Sequence, residues 1–237
     1  MSGEERVPQP TGGREVPPRH ERLDEREQRS LSGAYPDSDP PGVGPWQGDL
    51  PDDPVYDPDL LRDGDRRNVV DRYRYWRMDS IIADLDERRH SFHVAIENWQ
   101  HDFNIGSIVR TANAFLADEV HVVGRRRWNR RGAMVTDRYQ HVRHHESVDA
   151  FAAWAAKHEL AVIGIDNVDG SVPIETAEVP RDCVLVFGQE GPGLSEQMRA
   201  ACRTTLAITQ YGSTRSINVG AAAAIAMHAW IRSHAAR

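Results

Sequence analysis

From Asn68 to the end of the chain, apolar residues follow two alternating rhythms. Over Asn68–Arg89 they recur at helical spacing (VVDRYRYWRMDSIIADLDERR), which predicts one or two helices. SFHVAIEN (Ser91–Asn98) then reads as a strand, NIGSIVRTANAFLA (Asn104–Ala117) as a helix and EVHVVG (Glu119–Gly124) as a second strand. Together they make a βαβ unit. The order continues with YQHVRHH as a strand, SVDAFAAWAAKHE as a helix and LAVIGID as a strand. CVLVFG (Cys183–Gly188) has no polar alternation at all, the pattern of a parallel strand buried on both faces. LSEQMRAAC predicts a helix, TLAIT a short strand and VGAAAAIAMHAW a closing helix. The fold class that follows is α/β, with a mostly parallel sheet and helices on both faces.

Residues 1–67 break this regularity. They are dense in Pro, Gly, Asp, Glu and Arg and lack a periodic apolar pattern, so they offer little surface to offset the entropy of ordering. Composition therefore predicts a disordered acidic tail over 1–67 and one folded domain over 68–237, with 68–90 as a helical lead-in. Trp46, Val55, Tyr56, Leu60 and Leu61 are the tail's candidates for docking on the domain or on a partner.

The chain has 237 residues and is 39% hydrophobic, enough for one sizeable core. Cys183 and Cys202 are too few for a disulfide framework, and no His/Cys spacing suggests a structural zinc site. No early apolar run resembles a signal peptide, and Ile217–Ile231 is too short to span a membrane. A soluble, cytoplasmic protein without a metal is expected. The net charge of −7 argues on average against nucleic acid. Local distribution matters more: RRRWNRR concentrates Arg125, Arg126, Arg127, Arg130 and Arg131 within the folded part, either as a solvated loop or as an RNA-contacting patch.

Three polar constellations interrupt the apolar pattern. In FNIGSIVRTANAF, Asn104 stands where a helix N-cap belongs and Arg110 falls inside the helix. In VFGQEGPGLSE, the buried strand ends at Gly188 in a glycine-rich loop, beyond the carboxyl end of a strand where α/β sheets bind ligands. It is neither a P-loop nor a GxGxxG fingerprint. In TRSINVGAAAAIAMHAW, Ser216 and Asn218 lead directly into a helix of small residues that can approach its neighbours closely.

Taken in order, NIGSIVRTA, GQEGPGLS and RSINVGAAAAI resemble the signature of the SpoU/TrmH family of SPOUT RNA methyltransferases, over roughly the last 140 residues. The resemblance implies an α/β domain with a C-terminal deep trefoil knot, homodimerisation, and transfer of a methyl group from S-adenosylmethionine to a ribose 2′-OH of RNA. It places the cofactor among Gly188, Ile208 and Ile217. It makes Arg110 the catalytic group, surrounded by Asn104, Glu190, Ser216 and Asn218. The chemistry requires no metal. A guanidinium, with a reference pKa of about 12.5 or higher, is a poor base, so Arg110 is read as a stabiliser of the developing alkoxide.

Three positions depart from the usual motifs. Gln189 stands where Asn is more common, Leu116 where Gly often follows Ala-Phe, and Arg215 precedes Ser216 where bacterial members often carry Glu. The GSTRSINV form resembles the tRNA guanosine-18 branch, which favours tRNA over ribosomal RNA as substrate. A catalytically inactive RNA-binding scaffold and a small-molecule methyltransferase are the alternatives.

Overall fold

A computed structural model describes residues 42–99 and 104–235 of the chain. Seven strands form one sheet: β1 (His93–Asn98), β2 (Glu119–Gly124), β3 (His141–His145), β4 (Ala161–Ile165), β5 (Val172–Pro173), β6 (Cys183–Phe187) and β7 (Thr204–Ala207). Their spatial order is β3-β2-β1-β6-β4-β7-β5, and every pairing is parallel. β6 lies between β1 and β4 and is buried at all its positions, as its unbroken apolar run requires. The two-residue β5 was not apparent in the sequence. Its Pro173 withholds an N–H, which an exposed edge strand tolerates.

Among the described residues, six α-helices accompany the sheet: α1 (Pro58–Asp63), α2 (Met78–Asp86), α3 (Ile105–Ala114), α4 (Val148–Lys157), α5 (Glu196–Ala201) and α6 (Val219–His234). Alternate strand residues supply two cores. Val94, Ile96, Leu185 and Phe187 pack with Ile108 of α3 and Met227 and Trp230 of α6. Ala95, Val184 and Val186 pack with Phe151 of α4 and Met198 of α5 on the other face. Each such fully buried large side chain contributes about 1.5–3 kcal/mol relative to exposure.

Helix α6 departs from the all-round burial that its alanine content suggests. Ala223, Ala226, Met227 and Trp230 face the core, whereas Ala221 and Ile225 are exposed. Its small residues serve local closeness: a Cβ added at Gly220 would come within 2.9 Å of Ser107 Oγ on α3.

The composition-based tail also needs correction over residues 42–67. Asp57 caps α1 by accepting from the N–H groups of Asp59 and Leu60, with Pro58 in the first turn. Leu61 is buried, and Trp46 packs edge-on against Tyr75 at 5.4 Å between ring centroids. Asp65 is fully buried, accepting from the Arg67 guanidinium at 2.9 and 2.7 Å and from Tyr75 N–H at 2.9 Å. The segment holds together through paired polar groups and aromatic contacts, neither of which shows as apolar periodicity. Residues 1–41 of the expected tail lie outside the described residues.

Candidate functional site

The carboxyl ends of β1, β6, β4 and β7 feed loops that converge with the start of α6. Asn104 directly precedes α3, but its backbone is already helical (φ −82°, ψ −17°) and its side chain does not cap. Its amide is engaged elsewhere: Nδ2 donates to Glu190 Oε2, and Oδ1 accepts from Asn218 Nδ2 at 3.0 Å. Asn218 Nδ2 also donates to Glu190 Oε1 at 3.3 Å. Asn218 itself caps α6, its Oδ1 accepting from Gly220 N–H at 2.9 Å and Ala221 N–H at 3.3 Å. One residue from each of the three sequence constellations thus joins a single hydrogen-bonded cluster.

Beside this cluster lies a cavity of about 380 Å³. Gly188, Ile208 and Ile217 all line it, as do Glu190, Ser216 and Asn218. Gly188 has no room for a side chain, since a Cβ would fall 2.0 Å from the carbonyl carbon of Gly193. Loop 188–194 therefore folds tightly on itself, closed by reciprocal bonds between Gln189 and Gly193 at 3.1 and 3.0 Å. Gln210 also lines the cavity, and its buried Oε1 has no hydrogen-bond partner among the described residues. Main-chain groups, apolar walls and an unmatched acceptor fit a ligand that carries N–H donors on a flat heterocycle.

Residues 91–228 match the profile of the SpoU rRNA Methylase family. The chain belongs to this family. It is 30% identical over 166 residues to an uncharacterized tRNA/rRNA methyltransferase of Mycolicibacterium vanbaalenii, covering 67% of this chain and 52% of that one. It is 24% identical over 158 residues to the tRNA (guanosine(18)-2′-O)-methyltransferase of Escherichia coli K12, covering 65% and 68% respectively. Among solved structures, the SpoU methyltransferase AviRb from Streptomyces viridochromogenes, in complex with AdoMet, superposes with a TM-score of 0.57 at 23% identity, covering 65% of this chain and 62% of that one. The chain spans about half the length of the mycobacterial relatives it matches.

Around the SpoU motifs stand residues that sequence motifs do not single out. Glu97, at the end of β1, is fully buried and has no cationic partner among the described residues. Its carboxylate accepts from Ser195 N–H at 2.7 Å, from Ser195 Oγ–H at 2.8 Å and from Trp99 Nε1–H at 2.8 Å. Ser195 in turn caps α5 by accepting from Met198 N–H. At the end of β4, Asp166 accepts from Leu194 N–H at 2.8 Å and lines the cavity. Both carboxylates anchor the far end of the glycine loop. A polar residue closing an apolar strand, as in AIEN and VIGID, was the available signal. Gln189, where the motif more often has Asn, reaches Trp99 N–H with its side-chain oxygen at 3.1 Å.

The basic run is exposed at all five arginines. Its root is fixed: Asn98 Nδ2 donates to the carbonyls of Arg125 at 2.6 Å and Arg127 at 3.0 Å. Its far side is a 3₁₀ turn, Arg130–Ala133, pressed against α3. A Cβ at Gly106 would lie 2.6 Å from Ala133 N, so α3 and the basic loop meet backbone to backbone. Arg130 pairs with Asp137 at 3.5 Å and lies over Trp128.

Arg110 stands apart from the cluster. It is exposed on α3, one turn beyond Ser107, and makes no hydrogen bond or ion pair among the described residues. Glu190 and Asn218 bond to each other and to Asn104, and among the described residues neither is hydrogen-bonded or ion-paired to Arg110. Neither cysteine offers a nucleophile, because burial pushes both thiols up to about 12. No helix among the described residues is long and apolar enough to cross a membrane.

Proposed function

We propose that this chain is an S-adenosylmethionine-dependent RNA methyltransferase that modifies a ribose 2′-OH, with tRNA of the guanosine-18 type as substrate. The observation that carries this reading is the convergence of Asn104, Glu190 and Asn218 beside the cavity lined by Gly188, Ile208 and Ile217. Those last three residues would hold the cofactor, and Gln210 Oε1 would accept from its heterocycle. When bound, the cofactor supplies a methyl group on a sulfonium centre whose neutral thioether leaves readily.

The chain's own residues then have to bring a ribose hydroxyl into line, a positioning effect worth several kcal/mol, about 7–11 at its upper range. The exposed arginines of 125–131 would grip phosphates. Arg110, unpaired among the described residues, is available to an RNA phosphate and to the 2′-oxygen, where its fixed charge stabilises negative charge as it develops. The proton passes to a phosphate oxygen or to water, since guanidinium is too weak a base. Asn104, Glu190 and Asn218 keep the glycine loop and the start of α6 in register, and Ser216 lines the cavity beside them.

The tRNA assignment is supported by the name of the Escherichia coli relative and by the GSTRSINV form of the third motif. A homodimer is supported by exposed apolar side chains on one chain, Ile225 of α6 together with Met134 and Val135 after the basic loop. The family's trefoil knot is carried over from the family match of residues 91–228. Two free thiols and an RNA substrate fit the cytoplasm.

Labelled S-adenosylmethionine incubated with tRNA and with ribosomal RNA tests the reading. Label is expected in a 2′-O-methylated tRNA nucleotide; label in ribosomal RNA alone moves the substrate class, and none in either, from protein that binds cofactor, makes the chain a scaffold. Arg110→Ala is expected to lower transfer at least about 100-fold with cofactor affinity unchanged. A loss of cofactor affinity in that variant would assign Arg110 to the pocket instead.

A further inference from the structure

The sheet carries a second polar cluster at its opposite end. β1 begins at His93 and β2 at Glu119, whereas the site described above grows from the other ends of these strands. Parallel pairing aligns Val94 with Val120 and Ala95 with His121. His93, Glu119 and His121 therefore share the face covered by α4. His121 is fully buried and His93 nearly so.

We propose that His93, Glu119 and His121 form a site for a divalent transition-metal ion of the zinc type, with three protein ligands and a fourth position for water. One donor atom from each residue lies within 4.8 Å of the other two. His93 Nδ1 and His121 Nε2 are 3.2 Å apart. Two nitrogens bound to one tetrahedral zinc at about 2.0–2.1 Å stand about 3.3 Å apart, so these rings are already placed for ligation. Glu119 Oε2 is 4.0 Å from His121 Nε2 and has only to draw in slightly.

The outer contacts agree with this assignment. His93 Nε2 faces Asp118 Oδ2 at 3.5 Å, and His121 Nδ1 meets His145 Nε2 at 3.0 Å. Each ligating ring thus keeps its second nitrogen engaged, the arrangement that orients metal-bound imidazoles. Arg143 Nε donates to this same Glu119 Oε2 at 2.8 Å and opposes a cation, a contact that ligation has to displace, while the formal charges of Asp118 and Glu119 together exceed that of Arg143. No contiguous motif announces the site, because its ligands come from neighbouring strands; only His121 and Glu119 share the two-residue spacing of one strand face.

The test uses the full chain, stripped with a chelator and titrated with cobalt(II) and then zinc(II). One cobalt per chain is expected, with the visible absorption of a low-coordinate site, displaced by zinc, and zinc should raise the melting temperature. Glu119→Gln and His93→Gln should each weaken zinc binding at least about tenfold, while circular dichroism of the stripped variants stays that of the parent. No visible cobalt band, or equal affinity in parent and both variants, would overturn the proposal and leave a hydrogen-bonded ladder of neutral histidines, with any residual zinc on exposed residues such as His141 and His144. None of these readouts depends on methyl transfer.

Discussion

Asn218 donates from Nδ2 to Asn104 Oδ1 at 3.0 Å, joining positions 114 residues apart in sequence. The same side chain caps α6 through its oxygen. Asn218→Ala removes both functions. Loss of the cap costs about 1 kcal/mol, and loss of the amide leaves Asn104 and Glu190 without their shared donor. Asn218→Asp separates the effects: it keeps the cap acceptor but sets a carboxylate against Glu190. Thermal melts should show the alanine variant clearly destabilised, and the aspartate variant should retain more stability while losing transfer activity. Equal activity in the aspartate variant and the parent would show that the amide donor is dispensable.

Leu116 gives a stability prediction at one departure from the family motif. The N–H of Ala117 bonds to Ala112 O at 3.0 Å and that of Leu116 to Asn113 O at 3.2 Å, a Schellman closure of α3. This places Leu116 in the left-handed region at φ 53°, where glycine is favoured. Leu116→Gly relieves about 1–2 kcal/mol of left-handed strain. Against this stands the apolar packing of a half-buried side chain. A net gain smaller than that strain is expected in urea melts; a decrease would mean that the leucine's packing outweighs its backbone.

Exposed arginines with a fixed loop root make an electrostatic prediction. Replacing Arg125, Arg126 and Arg127 together by Ala should leave stability within about 0.5 kcal/mol, because Asn98 holds this loop through carbonyls that the substitutions keep. RNA affinity should fall, and the slope of log affinity against log salt should shrink by roughly 0.7–0.9 for each phosphate that the loop no longer neutralises. An unchanged slope in filter-binding measurements would make the run a solvated loop.

Asp65 predicts how segment 42–77 responds to acid. Burial alone raises its carboxyl, but the Arg67 guanidinium and the N–H groups of Arg67 and Tyr75 outweigh that and hold it at about 2, below the ordinary 3.8. A depressed pKa means stability that is complete above the unfolded value and is lost as pH falls from 3.8 toward about 2. Asp65→Asn should destabilise the chain by about 1–3 kcal/mol at pH 7 and flatten that part of the acid dependence. Urea melts at pH 7 and in steps below pH 4 measure both.

From β1 onward the order of strands and helices, apart from the two-residue β5, was legible because apolar rhythm changes period at each element, and β6 announced its burial by having no polar position. The family resemblance offered Asn104, Arg110, Glu190, Ser216 and Asn218 as candidates; the structure joins Asn104, Glu190 and Asn218 in one hydrogen-bonded cluster, with Ser216 on the cavity wall and Arg110 outside the cluster. What escaped was non-local. Glu97 and Asp166 act by reaching loop 188–195 from other strands, and neither shows its partner in sequence. Capping fits the position of Asn104, yet Glu190 and Asn218 claim its amide, and Asn218 is the residue that caps, at the start of α6. The turn Arg130–Ala133 has no apolar period, and segment 42–67 folds through an ion pair and aromatic edges that hydrophobic patterning does not register.

The meeting of Gly106 with the Gly132–Ala133 backbone leaves no compliant side chain between α3 and the arginine loop. A pull applied to that loop by a docked polyanion is borne by the very turn of helix that presents Asn104. Grip and readiness share one mechanical joint, and thickening it by a single methyl group would jar both together.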